Sequence, residues 1–213
     1  MGEMTRRAGQ MGTESIGGLE VPARVIPVPD TVSPEMQVII AQPHDPTFNH
    51  APTTTAAWKA KVAAAARKVE AALPELRHAL GVTVAPMVIA GVQAFLVTPT
   101  SMPTKNRDRL LVHLHGGVRV LNPGEAGTRE AILMAGFAGY KVISVDYRMP
   151  PDFPFPAALD DAVAVYRETL QTTPAANIAI FGTSAGDSLT CSGPRRQDCP
   201  CPAPSRSGHR PST

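Results

Sequence analysis

The chain has 213 residues, of which 43% are hydrophobic and 18% are charged, and its formal net charge is +2 at pH 7. These values fit a single soluble domain with a substantial core, and they argue against nucleic acid as a partner because no dense run of Lys and Arg is present. No segment approaches 18 consecutive apolar residues, and no apolar segment follows Arg6 and Arg7. We therefore expect neither a membrane span nor a secretory signal, and by default a cytoplasmic protein.

Residues 1–52 are predicted to form a Pro-rich N-terminal segment that is partly disordered, beginning with residues 1–20. Seven prolines between Val21 and Pro52 favour extended segments and turns. A helix is predicted from about residue 56 to 73, capped by the threonines at 53–55. One face of it carries Trp58, Val62, Ala66, Val69 and Leu73. Pro74 would either end this helix or open a short continuation to Leu80.

Residues 53–190 are predicted to form an α/β domain. Short strands are expected at 82–84, 87–89 and 92–97, with Gly91 at a turn or a bulge. A strand at 109–114, a helix at 128–138, a strand at 141–145, a helix at 155–170 and a strand at 177–181 follow. Because strands buried on both faces read as continuous apolar runs, this order predicts βαβ units on a mostly parallel sheet covered by helices.

The last of these strands runs into Gly182-Thr183-Ser184-Ala185-Gly186. A serine between small residues at a sharp strand-to-helix turn can hold its hydroxyl at the carboxyl edge of a sheet. Ser184 is therefore the candidate nucleophile, and the amide of Ala185 is a candidate donor to a tetrahedral oxyanion. The alternative interpretation is a plain strand-to-helix connection with glycine at a tight turn.

A second motif, His115-Gly116-Gly117, follows the strand at 109–114. The amides of Gly116 and Gly117 are not obstructed by side chains and could complete an oxyanion hole. Alone, the motif fits a simple glycine turn better than an oxyanion loop, but with Ser184 two strands later the balance reverses, because nucleophile and oxyanion loop would then lie at one sheet edge. His115 is expected to hold this loop by hydrogen bonds, and His113, on the opposite face of the strand, to be structural.

Residues 191–213 are predicted to be a disordered tail. They contain five prolines, four arginines and three cysteines, and no Val, Ile, Leu, Met or aromatic residue, so they cannot bury a core. Cys191, Cys199, Cys201 and His209 are zinc-type ligands, but they lack the usual paired spacing. We therefore expect no metal site.

Four motifs together resemble the bacterial hormone-sensitive-lipase-like esterases of the α/β-hydrolase superfamily, in the subgroup whose elbow reads Gly-Thr-Ser-Ala-Gly. They lie at 115–117, 146–148, 153–161 and 182–186. The resemblance covers about residues 21–190 and implies an N-terminal cap, an eight-stranded α/β-hydrolase core, and hydrolysis of small acyl esters without a cofactor. It also implies that Ser184 is the nucleophile and that Gly116, Gly117 and Ala185 supply the oxyanion hole. Asp146-Tyr147-Arg148 and Asp160 would be structural.

The chain departs from that family in two places. Val118 and Arg119 stand where a third glycine and an aromatic residue are usual, and a β-branched valine disfavours the backbone angles of glycine. In this fold the acid and the histidine of the triad follow the serine, whereas here Leu189 leads into the tail. We expect a chain truncated or shifted in frame after about residue 190, without its acid and histidine, and weakly active or inactive. The coding DNA would test this.

Two other functions stay open at the level of sequence. The first is a non-catalytic ligand-binding protein on the same scaffold. The second is an unrelated α/β nucleotide-binding domain, although no glycine-rich phosphate fingerprint follows the first strand. The physiological ester and the oligomeric state are left open as well.

Overall fold

The computed structural model of this protein describes residues 25–43 and 51–192. The chain divides into two compact units, Met1–His50 and Ala51–Thr213. In the first unit, helix α1 (Pro34–Ile40) is capped by Ser33, whose hydroxyl accepts a hydrogen bond from the N–H of Met36 at 3.3 Å. The expectations of disorder at 1–20 and of a tail without a core concern residues outside the described ranges, apart from 191 and 192.

The second unit is built on a five-stranded sheet with the order β1-β2-β4-β3-β5. The strands are β1 (Val82–Ile89), β2 (Val92–Pro99), β3 (Leu110–Leu114), β4 (Lys141–Val145) and β5 (Ile178–Gly182). β3 pairs in parallel with β4 and with β5, as the alternation of strands and helices predicts. β1 and β2 are antiparallel to each other, and β2 is antiparallel to β4. The sheet is therefore mixed, and its parallel part is confined to three strands.

The first two strands form a long hairpin instead of three short strands. Ala90 and Gly91 make its two-residue turn with φ of 51° and 80°, the positive angles that such turns require. The predicted break between residues 84 and 87 does not occur. Pro86 is accommodated within β1 because β1 is an edge strand, where a missing N–H need not serve a second neighbour.

Within residues 51–192, five α-helices accompany the sheet: α2 (Thr55–Glu70), α3 (Leu73–Leu80), α4 (Arg129–Ala138), α5 (Ala157–Thr172) and α6 (Ala185–Ser192). The helix predicted to reach residue 73 ends earlier, and Pro74 lies in the first turn of α3, where its missing N–H leaves no bond unmade. α3 ends at Gly81, which has φ of 59°. Within the described ranges, no helix combines the length and apolarity needed to cross a membrane.

Two apolar clusters lie on opposite faces of the sheet. In β4, Ile143 and Val145 belong to the cluster that includes residues of α5, whereas Val142 belongs to the cluster that includes residues of α3 and α4. This division follows from the alternation of side chains along a strand. The helices thus cover both faces of the sheet and leave its carboxyl edge for the loops that follow β3 and β5.

Helix α4 offers a paired test of this packing. Ile132 is fully buried, whereas Phe137 on the same helix is 79% exposed. We expect Ile132→Ala to lower the free energy of unfolding by about 3 kcal/mol, because it leaves a cavity in a close-packed cluster. Phe137→Ala should change it by no more than about 0.5 kcal/mol. Urea unfolding of both variants measures the difference, and equal losses would contradict the assigned core.

Candidate active site

Ser184 lies in a tight turn between β5, which ends at Gly182, and α6, which begins at Ala185. Its φ is 54°, a left-handed value that costs a residue with a side chain on the order of 1–3 kcal/mol. The N–H of Gly186 donates to the carbonyl of Thr183 at 2.9 Å, and this bond closes the turn. The strand–turn–helix arrangement that a nucleophilic serine requires is therefore formed, with Ser184 on the surface.

The two glycines of the motif have separate steric roles. A Cβ on Gly186 would overlap the carbonyl of Leu114, the last residue of β3. A Cβ on Gly182 would overlap the backbone of Gly186. Because β5 pairs with β3 in a register that sets Gly182 opposite Leu114, α6 can begin only if both positions lack a side chain. The spacing of the motif is thus imposed by the contact of the turn with β3.

The loop after β3, residues 115–124, packs against this turn. A Cβ on Gly116 would lie 2.8 Å from the carbonyl oxygen of Thr183 and 3.6 Å from Cβ of Ser184. Gly117 has φ of 124°, and a Cβ there would lie 2.6 Å from the carbonyl oxygen of Leu121. The backbone of the His-Gly-Gly motif is therefore adjacent to Ser184 at the carboxyl edge of the sheet. The candidate residues of the sequence come together there.

Val118 takes a backbone conformation that usually belongs to glycine. Its φ is 49°, and Arg119 and Asn122 in the same loop have φ of 63° and 66°. The N–H groups of Val120 and Leu121 both donate to the carbonyl of Gly117, at 3.0 and 2.8 Å, and close the loop despite this strain. The substitution of a third glycine by valine therefore leaves a closed loop, but one in which a β-branched residue is strained.

The end of β4 holds both ends of the 115–124 loop. The hydroxyl of Tyr147 donates to the carbonyl of His115 at 2.6 Å, and the two rings stack with centroids 4.3 Å apart. Oδ1 of Asp146 accepts from the N–H of Gly124 at 2.8 Å. Burial raises the pKa of Asp146, and the bond from Gly124 opposes that shift. Asp146 and Tyr147 thus have a structural role as loop anchors, the kind of role that the resemblance implies for them.

Arg148 pairs with Asp161 rather than with Asp160. The guanidinium and the N–H of Arg148 contact the carboxylate of Asp161 at 2.8–3.0 Å. Asp161 is buried, whereas Asp160 is exposed in the first turn of α5. The buried carboxylate is therefore that of Asp161, one position after the Asp160 that the resemblance implies. A step of one residue rotates a side chain by about 100° around a helix, so one of two neighbours can be buried while the other is exposed.

His113 is fully buried and uses both ring nitrogens within the protein. Nε2–H donates to the Glu130 carboxylate at 3.0 Å, Nδ1 bonds with the hydroxyl of Ser144 at 3.0 Å, and the ring stacks on Phe181. The bond from His113 is the main reason that the pKa of Glu130 is lowered. Sequence reasoning did not find these partners, since Glu130 and Ser144 are 17 and 31 residues away and no local spacing signals the contact.

His115 is oriented by the loop that it begins. Its Nδ1 lies 2.9 Å from the carbonyl oxygen of Gly116, and because a carbonyl only accepts, Nδ1 carries the hydrogen. His115 lines a cavity of about 140 Å³ together with Asn122, Arg129 and Glu130, and its Nε2 is buried without a hydrogen-bond partner among the described residues. Burial lowers the pKa of His115 to about 4. The ring is therefore neutral at neutral pH and serves as a donor to the loop.

No histidine in residues 51–192 is hydrogen-bonded to Ser184. The described histidines are His78 in α3, His113 and His115, and the last two are engaged as above. His209 is the one histidine that follows Ser184 in the sequence, and it lies outside the described ranges. Over the same ranges, no group of three or more His, Cys, Asp or Glu side chains is arranged to hold a metal ion.

Comparison with known proteins supports the fold. Residues 111–192 match a family described by the α/β hydrolase fold, and the protein has that fold. An acetyl-hydrolase of Streptomyces hygroscopicus is 39% identical over 88 residues. The crystal structure of an esterase superposes with a TM-score of 0.77 at 38% identity, over 87% of this chain. A hormone-sensitive-lipase homologue from a metagenome library superposes with a TM-score of 0.54 at 26% identity, over 70% of this chain.

The chain spans only part of each of these proteins. The matched region covers 29% of the acetyl-hydrolase, 59% of the first esterase chain and 52% of the second. The segment 111–192 that matches the family contains both the turn at Ser184 and the loop at His115–Gly117.

The strain at Val118 predicts that glycine is better tolerated there than elsewhere. Val118→Gly should leave the free energy of unfolding unchanged or raise it by up to about 1 kcal/mol. Glycine adopts the left-handed backbone angle without strain, and the valine side chain that is removed is 68% exposed. Val88→Gly is the matched control, because Val88 is 58% exposed but lies in β1 with extended backbone. It should be destabilising by about 1 kcal/mol. Equal losses in thermal unfolding would contradict the strain.

The buried neutral state of His115 predicts a specific acid sensitivity. Its pKa falls from 6.5 in the unfolded chain to about 4 in the folded one. Neutral His115 therefore makes its full contribution to the free energy of unfolding above pH 6.5. This contribution, about 3 kcal/mol in total, is lost as the pH falls towards 4. His115→Gln can still donate to Gly116 but does not titrate, so its stability should fall less over this range. Parallel pH dependences in urea unfolding would contradict the assignment.

Proposed function

We propose that this protein hydrolyses carboxylic esters with short acyl groups, with Ser184 as the nucleophile. The observation that carries the proposal is the contact between two backbone segments. Ser184 stands at a left-handed turn, and the backbone of Gly116 packs directly against it. The likeness to an acetyl-hydrolase and to an esterase of known structure supports the same reaction class.

The proposed chemistry needs no cofactor. Oγ of Ser184 attacks the ester carbonyl carbon, and the electron pair of the carbonyl bond moves to its oxygen. The amides of Gly116, Gly117 and Ala185 donate to that oxyanion, and the position of Ala185 at the start of α6 adds the positive end of a helix dipole. The tetrahedral intermediate collapses with loss of the alcohol, which leaves with the proton that the Ser184 hydroxyl gave up on attack. Water then hydrolyses the acyl-serine and restores Ser184.

A general base for Ser184 is the part of the mechanism that the described residues do not supply. A serine hydroxyl is a weak nucleophile until a positioned base takes its proton. His113 and His115 are bonded elsewhere, and His209 is the one histidine that follows the serine in the sequence. We therefore propose weak turnover by this chain, supported mainly by the oxyanion hole, which by itself retains a fraction of hydrolase catalysis.

The test is hydrolysis of p-nitrophenyl acetate and butyrate by the purified 213-residue chain. We expect turnover that falls to the solvent rate in Ser184→Ala, because the acyl group then has no nucleophile. Ser101→Ala, an exposed serine in the loop after β2, is the matched control and should retain full activity. Equal rates for the chain and Ser184→Ala would overturn the proposal.

One further variant identifies the base. If turnover depends on Ser184, loss of that turnover in His209→Ala would assign the proton acceptor to His209. Saturable binding of the ester without Ser184-dependent turnover would instead favour the non-catalytic ligand-binding function that the same scaffold could serve.

A further inference from the structure

The carbonyl of Gly116 receives two hydrogen bonds from the loop itself. Nδ1–H of His115 donates to it at 2.9 Å, and Nδ2 of Asn122 donates to it at 3.1 Å. The two donors come from the beginning and the end of the 115–124 loop. They fix the direction of one carbonyl at the place where the loop contacts Ser184.

That carbonyl determines the direction of the next amide. In a trans peptide the C=O of one residue and the N–H of the next point to opposite sides. With the Gly116 oxygen held by His115 and Asn122, the N–H of Gly117 is directed away from both side chains. Among the described residues, no hydrogen bond uses this N–H. It is therefore free to donate to a substrate oxygen.

The peptide bond between Gly116 and Gly117 must be held by other residues, because both residues that it joins are glycines. Rotation of the peptide plane changes ψ of Gly116 and φ of Gly117, and neither residue has a Cβ to oppose the change. On the carboxyl side, the carbonyl of Gly117 is held by the N–H groups of Val120 and Leu121. On the amino side, His115 and Asn122 hold the carbonyl of Gly116.

We propose that Asn122 is a positioning residue which, together with His115, orients the Gly116–Gly117 peptide so that the N–H of Gly117 faces the oxyanion. Asparagine suits the position, because it tolerates the φ of 66° found there and its short amide can bond back to the backbone. The proposal rests on the proposed esterase function. It adds a residue that lies outside both sequence motifs.

The decisive variant is Asn122→Asp. It keeps the size of the side chain and its tolerance of a left-handed backbone, but it replaces the donor by an oxygen that repels the Gly116 carbonyl. We expect kcat for p-nitrophenyl acetate to fall about a hundredfold, the loss typical of one oxyanion donor, with KM unchanged. Asn122→Gly keeps the backbone and removes the donor without repulsion. It should lower kcat less, by about tenfold, since His115 still holds the carbonyl.

Asn106→Asp is the matched control. Nδ2 of Asn106 also donates to backbone carbonyls, those of Ala138 and Gly139 at 3.0 and 3.1 Å, and the residue is buried at the opposite end of β4. This variant should lose stability but keep the kcat of its folded fraction. A loss of kcat in Asn106→Asp that equals the loss in Asn122→Asp would overturn the proposal, because the effect would then be structural.

A second readout does not depend on turnover. In ¹H–¹⁵N spectra of the folded chain, Asn122→Asp should displace the Gly117 amide resonance, whereas Asn106→Asp should leave it in place. An unchanged Gly117 resonance in Asn122→Asp would overturn the positioning role even if activity fell. If the chain shows no Ser184-dependent turnover, the proposed function fails, and the Gly117 resonance alone decides the role of Asn122.

Discussion

The constraint on which the site depends is the close contact between the end of β3 and the beginning of α6. Gly186 lies against the carbonyl of Leu114 with no room for a side chain, and Gly182 lies against Gly186 in the same way. The parallel register of β3 and β5 fixes this contact. Because the turn at Ser184 and the loop at His115 both leave the sheet there, their backbones are held side by side.

The remaining anchors come from β4, the neighbour of β3 on the other side. Tyr147 and Asp146 follow this strand and bond to the backbone at the two ends of the 115–124 loop. Arg148 continues the chain of contacts to the buried Asp161 of α5. A loop containing Val118 and Asn122 in left-handed conformations is thus restrained from outside as well as by its own bonds. Strain at such positions persists only where the surroundings determine the conformation.

Most of the elements could be predicted from the sequence, because apolar runs and helical periodicity are local signals. The order of strands and helices from residue 109 onwards agrees with the structure within two residues. The sequence was misleading where a tertiary neighbour overrides a local signal. The predicted break between residues 84 and 87 lies within an edge strand, and the buried carboxylate at the start of α5 is Asp161 rather than Asp160.

The sequence by itself determined the candidate nucleophile and the candidate oxyanion loop. Gly182, Gly186, Gly116 and Gly117 are needed there for steric reasons, and the spacing of a motif reflects them. Only the tertiary structure decided which side chains hold that loop. Tyr147, Asp146 and Asn122 act through single hydrogen bonds to backbone atoms, and such bonds impose no periodicity on the residues that make them. His113 likewise acquires Glu130 and Ser144 as partners only when α4 and β4 pack beside β3. A sequence motif reflects positions where the backbone leaves no room for a side chain. The hydrogen-bond partners of polar side chains depend instead on which elements pack together in the fold.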